Sequence, residues 1–475
     1  MRSSVIRTSC GGPDSEKLTR TDGANLAGRT VTSERTIEEF IIDHARLFSI
    51  VTMASSAYEQ STRRSRRGFL KTAAVTAAGT VLAGCAGGGG GQSNSSGGAS
   101  TGGTTDGPVN IGALLPLSGP QALAGQEVKR GAEMAREHLD GQILGEELNL
   151  IVRDTGSEPQ TALEGARALV EKRDVDAIIG PTLSSSGTTI IPYIREKAQV
   201  PLLPTQVSAT SAREGENCTA YSFFIWPSNR HQVPVGVDFV NDLAGQIDRE
   251  IDPGKMHFFS PDYALGQNNL ELLKKELESR GGEVVGSTLA PLGTQDLSSY
   301  ISEISQSEAD VVTGVLTPGL ASRLINQSED FGLVEEKVLM FNSGKPVDQV
   351  THANVGDAAN GWYGTPFYNP TSDRDINQTF QDIYPSDSKL LPNSVAGSGF
   401  ETVRALSIAM EDAGSTNADD VTDSLAGLSW ESVFGSTTFR ESDGQTELDF
   451  VGATRRDGQF EVLETYNGIL PPNKC

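Results

Sequence analysis

Cysteine and histidine are scarce, with four and five residues in a chain of 475. No cysteines have CxxC spacing, and His138, His231, His257 and His352 stand apart without i,i+4 partners, so no zinc or other metal site is expected. Basic side chains are also in short supply: 38 Lys and Arg face 62 Asp and Glu, for a net charge of −24. Twelve basic and eight acidic residues lie in 1–85, which leaves −28 for the remainder. That field repels polyanions and excludes a nucleic-acid partner or a basic membrane-surface patch. The acids are dispersed, as in Asp238, Asp242, Asp248, Glu250 and Asp252. A dispersed acidic surface suits a chain kept soluble in very high salt, where screening removes most self-repulsion, and a salt-loving source is expected.

An address is present near the start. SRRGFLK at 65–71, with Arg66 and Arg67, resembles the twin-arginine export signature, and 72–82 follows as its weakly apolar segment. Eleven residues cannot cross about 30 Å of hydrocarbon. LAGC at 82–85 resembles a lipobox, which makes Cys85 the acylated anchor on the outer face of the cell membrane. Residues 53–84 then form the signal peptide and 85–107, rich in Gly, Ser, Thr and Ala, a flexible tether. Residues 1–52 precede it as a mis-assigned extension with Met53 as the true start, or as an unusually long leader. Setting aside Cys10 and Cys85, only Cys218 and Cys475 remain for the folded part, either as a disulfide or as two thiols.

From 108 onward the pattern alternates. Apolar runs at 109–115, 147–153, 175–179 and 200–203 read as strands, with helical periodicity at 123–139, 159–172 and 190–198. After Trp226 the alternation restarts, with strands at 257–259, 284–289, 311–316 and 338–341 and helices at 265–279, 297–305 and 319–331. Helical stretches at 375–383 and 395–413 follow, and 436–463 reads as hairpins around Asp443-Gly444 and Asp457-Gly458. The expected fold class is α/β, with two doubly wound parallel-sheet lobes.

Ligands of such sheets bind at the carboxyl ends of the strands. Three loops there are informative: LPLSGP at 115–120, GPTLSSSG at 180–187 and TQVSAT at 205–210. Hydroxyls and free N–H groups at helix starts grip a carboxylate, which makes Ser118, Ser184, Ser185, Ser186, Ser208 and Thr210 ligand candidates. Each loop alone reads as turn and cap chemistry; three in series point to a site. A serine nucleophile is not expected, because Gly-x-Ser-x-Gly is absent from the serine run and no histidine is placed to serve it, so the chain is not read as an enzyme.

These loops, with the helix opening at 127–135, the segment 154–159 and DYALG at 262–266, resemble the branched-chain amino-acid binding proteins of ABC transporters. The resemblance runs over 108–463. It implies a type I periplasmic-binding fold with three chain crossings, near 226–229, 365–368 and 439–445. Lobe I is then 108–227 plus 367–438, and lobe II is 228–366 plus 439–470. It further implies carboxylate binding by Ser184, Ser185 and Ser186 with Ser208 and Thr210, followed by lobe closure that a permease reads.

The second half of the pocket departs from the family pattern. The covering aromatic of the first loop falls at Ala124, the second-lobe tyrosine at Leu265, and the residues for an α-ammonium at Thr317 and Lys345. A lysine there repels an ammonium by about 4 kcal/mol at 4 Å for an effective dielectric of 20. Asp262, Tyr263 and Glu401 are further candidates to reach the cleft. The expectation is a monomeric extracytoplasmic lipoprotein, without cofactor, delivering a small polar solute of the amino-acid class to an ABC permease. An amide or organic acid as solute, and sensing for a signalling partner, are the alternatives.

Overall fold

The computed structural model describes residues 107–475 apart from Asp387. Arg66, Arg67 and Cys85, and the segments 1–52, 53–84 and nearly all of 85–107, lie outside the described residues.

The first sheet has the order β2-β3-β1-β4-β5: β1 (Val109–Leu115), β2 (Gln142–Ile143), β3 (Glu146–Asp154), β4 (Ala177–Ile179) and β5 (Leu202–Leu203). All its pairings are parallel except the β2–β3 hairpin. Side chains alternate across a strand, and β1 shows the result. Ala113 and Leu115 join a core with α1 (Ala122–His138), while Leu114 joins another with α2 (Pro159–Arg173) and α3 (Ser184–Tyr193).

The second unit opens with α4 (Asn229–Ala244) and runs through β6 (Lys255–Asp262), α5 (Ala264–Ser279), β7 (Glu283–Pro291), α6 (Ser298–Ser305), β8 (Val311–Thr313), α7 (Pro318–Ser328), β9 (Val338–Phe341), α8 (Gln349–Val355) and β10 (Tyr363–Gly364). Strands β7, β6, β8, β9 and β10 pair in parallel in that order. Phe258 and Phe259, neighbours on β6, fill opposite cores: Phe258 with α4 and α5, Phe259 with α6 and α7.

The chain then returns to the first unit with α9 (Asp375–Ile383), α10 (Ser394–Ala413) and α11 (Ala418–Leu425). Helices α1 and α10 approach closely because Gly131 and Gly399 carry no side chain. A Cβ on Gly131 would meet the Ala396 carbonyl oxygen at 1.8 Å, and one on Gly399 the Val128 oxygen at 2.0 Å. The last strands are β11 (Ser429–Ser432), β12 (Gly435–Phe439), β13 (Thr446–Arg456) and β14 (Gln459–Ile469), all antiparallel to their neighbours. The start of β13 pairs with β12 and its end with β10, so one sheet runs continuously between the two units through this strand.

Two of the expected crossings lie side by side. Phe224 bridges Gln445, its carbonyl accepts from the Thr446 hydroxyl, and Thr446 in turn takes a 2.8 Å bond from His231 Nε2. The third is held by the Val451 N–H on the Pro366 carbonyl at 3.0 Å. Cys218 and Cys475 form a disulfide.

Candidate functional site

In both sheets the strand order reverses about a central strand, β3-β1-β4 in one and β7-β6-β8 in the other. The loops that leave such a reversal at the carboxyl end splay apart and make a crevice. Between the units these crevices face one another around a narrow cleft. Gln121 follows β1, Thr182 and Leu183 follow β4, and Gln206 and Ser208 follow β5. From the opposite side come Tyr263 and Leu265 after β6, Val315, Leu316 and Thr317 after β8, and Ser343 and Lys345 after β9. Trp226, at the first crossing, and Gln232, on α4, complete the lining.

Lys345 is the charged residue of this lining, and a tight turn aims it inward. Gly344 holds φ +66°, and a Cβ there would meet the Pro366 backbone nitrogen at 2.4 Å, so only glycine fits. Lys345 is 2% exposed. It donates to Asp348 Oδ2 at 3.0 Å and to Ser394 Oγ at 2.6 Å, and lies 4.7 Å from the centre of the Trp226 ring. Ser394, the first residue of α10 in the other unit, also donates to the Asp348 carboxylate. Asp348 Oδ1 caps α8 by accepting from the Val350 N–H at 3.1 Å. Burial pulls the lysine below its ordinary value, with Asp348 opposing. Arg455, itself buried, is pulled down to about 10 by desolvation and also feels Asp348.

The serine run at the end of the expected 180–187 loop opens helix α3, ahead of the helix expected from 190. Ser184 Oγ accepts from the Ser208 and Ala209 N–H groups, each at 3.2 Å, and so ties the helix start to the loop after β5. Ser185 is half-buried on the same first turn, and Ser186 Oγ is buried without a partner. Of the sequence candidates, Ser208, Tyr263, Thr317 and Lys345 line the cleft.

Other candidates are bonded within the protein or lie outside this lining. Ser118 is exposed and its hydroxyl is taken by Asp154 at 2.7 Å. Asp262 is exposed and accepts from Gln267 at 2.9 Å. Thr210 Oγ1 accepts from Asn268 at 2.8 Å, a contact from one unit to the other beside the cleft. Glu401 is fully buried elsewhere, against Arg404, the Trp430 indole N–H and the Val433 N–H; burial raises its carboxyl. Gln121, Thr182, Gln206, Trp226, Gln232 and Ser343 were not singled out in the sequence. Their placement just after strand ends was the available signal. Gln206 Nε2 and Gln232 Oε1 are buried and bonded to no other protein group. Among the described residues no cluster suited to a metal ion occurs, and no helix is long and apolar enough to cross a membrane.

Two doubly wound units that face one another across a cleft at their strand ends and are joined by three chain crossings define the type I periplasmic-binding fold. The chain belongs to the periplasmic binding protein family, whose model matches residues 108–459. It is similar to Leu/Ile/Val-binding protein homolog 7 of Brucella suis biovar 1, 25% identical over 271 residues; the match covers 54% of this chain and 65% of that relative, just short of two thirds of its length. The chemotactic signal transduction system substrate-binding protein BasB of Halobacterium salinarum is 26% identical over 228 residues, covering 46% of this chain and 52% of BasB. A solute binding protein of an ABC transporter from R. palustris, solved in complex with benzoate, shares the fold with a TM-score of 0.70 at 22% identity, over 78% of this chain and 99% of that one.

Proposed function

We propose that this chain is an extracytoplasmic, lipid-anchored receptor that closes its lobes on one small polar organic solute and presents it to an ABC permease. The observation that carries the reading is the cleft itself. Its walls come from strand-end loops of both units, so a solute seated there touches both at once and favours the conformation in which they meet. Hydroxyls of Thr182, Ser208, Tyr263, Thr317 and Ser343, with the glutamine amides, supply the few fixed polar groups that orient a small ligand. The resemblance of 65–71 to an export signature and of 82–85 to a lipobox supports a receptor held on the outer face of the membrane.

Delivery to a signalling partner is the second reading, favoured by the similarity to BasB. Deleting the gene separates the two. Loss of uptake of the bound solute with taxis intact supports transport; loss of taxis with uptake intact supports sensing.

A further inference from the structure

The lining of the cleft contains one formal charge, the ammonium of Lys345, and no carboxylate. An α-ammonium group placed there would find no counter-ion. The face of Trp226, the one indole in the lining and a natural seat for a cation, is already covered by Lys345 Nζ at 4.7 Å. Behind Lys345, its partner Asp348 also lies in the field of Arg455, so two cations share one carboxylate, and all three residues are at least 96% buried. This set therefore carries a net positive charge inside a strongly acidic chain. A monoanion brings it to neutrality; an amino-acid zwitterion leaves it positive and adds a second cation beside the first. Gln232 Oε1, buried and unpartnered, accepts a hydrogen bond from a neutral donor but cannot balance a charge.

Resting on the receptor reading, we infer that the solute is a small carboxylate with no ammonium group, and that Lys345 is the specificity-determining residue that makes it so. Ser394 gives this preference a mechanical consequence. It belongs to α10 of the first unit, yet bonds both Lys345 and Asp348 of the second. An anion at Lys345 therefore adds charge compensation at a point where the two units are already joined.

The test is isothermal titration of the full chain in molar KCl with matched probes: 4-methylpentanoate against leucine, which differs by the amino group, together with benzoate and leucinamide. The expected result is saturable binding of at least one carboxylate, with leucine at least tenfold weaker than 4-methylpentanoate and no binding of leucinamide. Leucine binding as tightly as or more tightly than the carboxylates overturns the inference and leaves the receptor reading standing. No binding by any probe overturns the inference too, and a wider solute panel without a ligand then counts against the receptor reading itself. Lys345→Met adds a second arm, with its melting midpoint measured alongside. Carboxylate affinity should fall at least tenfold and the preference over leucine should shrink; an unchanged preference in a folded variant removes Lys345 from the role. Should that variant not fold, the wild-type comparison decides alone.

Discussion

His231 sits where two crossings touch, and its ring is satisfied only when neutral. Nε2–H donates to the Thr446 carbonyl, while Nδ1 accepts from the Ser228 N–H at 3.0 Å and faces the Ser228 hydroxyl at 2.8 Å. Burial, with Arg213 and Arg440 adding to it, lowers its pKa to about 3. The folded value lies below the unfolded one, so the unfolded chain takes up the proton first. The associated stability is complete above the ordinary histidine value of about 6.5 and is lost as pH falls from there toward 3, with a slope approaching 1.4 kcal/mol per pH unit for one proton. Melting midpoints measured across that window should show this slope, and His231→Gln should flatten it by one proton. An equal slope in the variant would assign the acid sensitivity to other groups. Lys345 illustrates the other use of a buried ionisable residue. Its sequence position signalled a break from the family pattern, but its bonds to Asp348 and Ser394 depend on a turn and on a helix 49 residues away.

At the level of elements, the alternation of strands and helices was legible because each strand is flanked by helices whose apolar faces repeat at 3.6 residues. The expected strands at 109–115 and 338–341 coincide with β1 and β9. The start of α3 was not legible, since Ser184, Ser185 and Ser186 read as loop by propensity. A tertiary contact decides it: Ser184 Oγ satisfies two N–H groups of the loop after β5, and the helix begins where that bond is made. Ser184→Ala leaves both groups buried and unpaired, for an expected loss of about 1–3 kcal/mol in chemical denaturation. A change below a few tenths would mean the loop is held by its other contacts. The role of β13 was equally hidden, because the Asp443-Gly444 and Asp457-Gly458 turns mark hairpins without saying that one strand reaches both units.

For the whole molecule, buried apolar clusters on both faces of each sheet account for folding, and the proposed function rests on the cleft. Sequence patterns located the cleft by its loops, yet selected hydroxyls such as Ser118 that other groups had already claimed. It passed over Gln206 and Gln232, whose meaning comes from the opposite wall. The acidic surface belongs to this scale as well, and makes the single positive charge in the lining more conspicuous. The measurement that tests the central claim most directly is titration of the full chain and of Thr317→Trp, which fills the cleft from the second unit, with the carboxylate that binds tightest. The account predicts one solute per chain for the wild type and no detectable binding to the variant at an unchanged melting midpoint. Undiminished binding to that folded variant would place the solute elsewhere and contradict it.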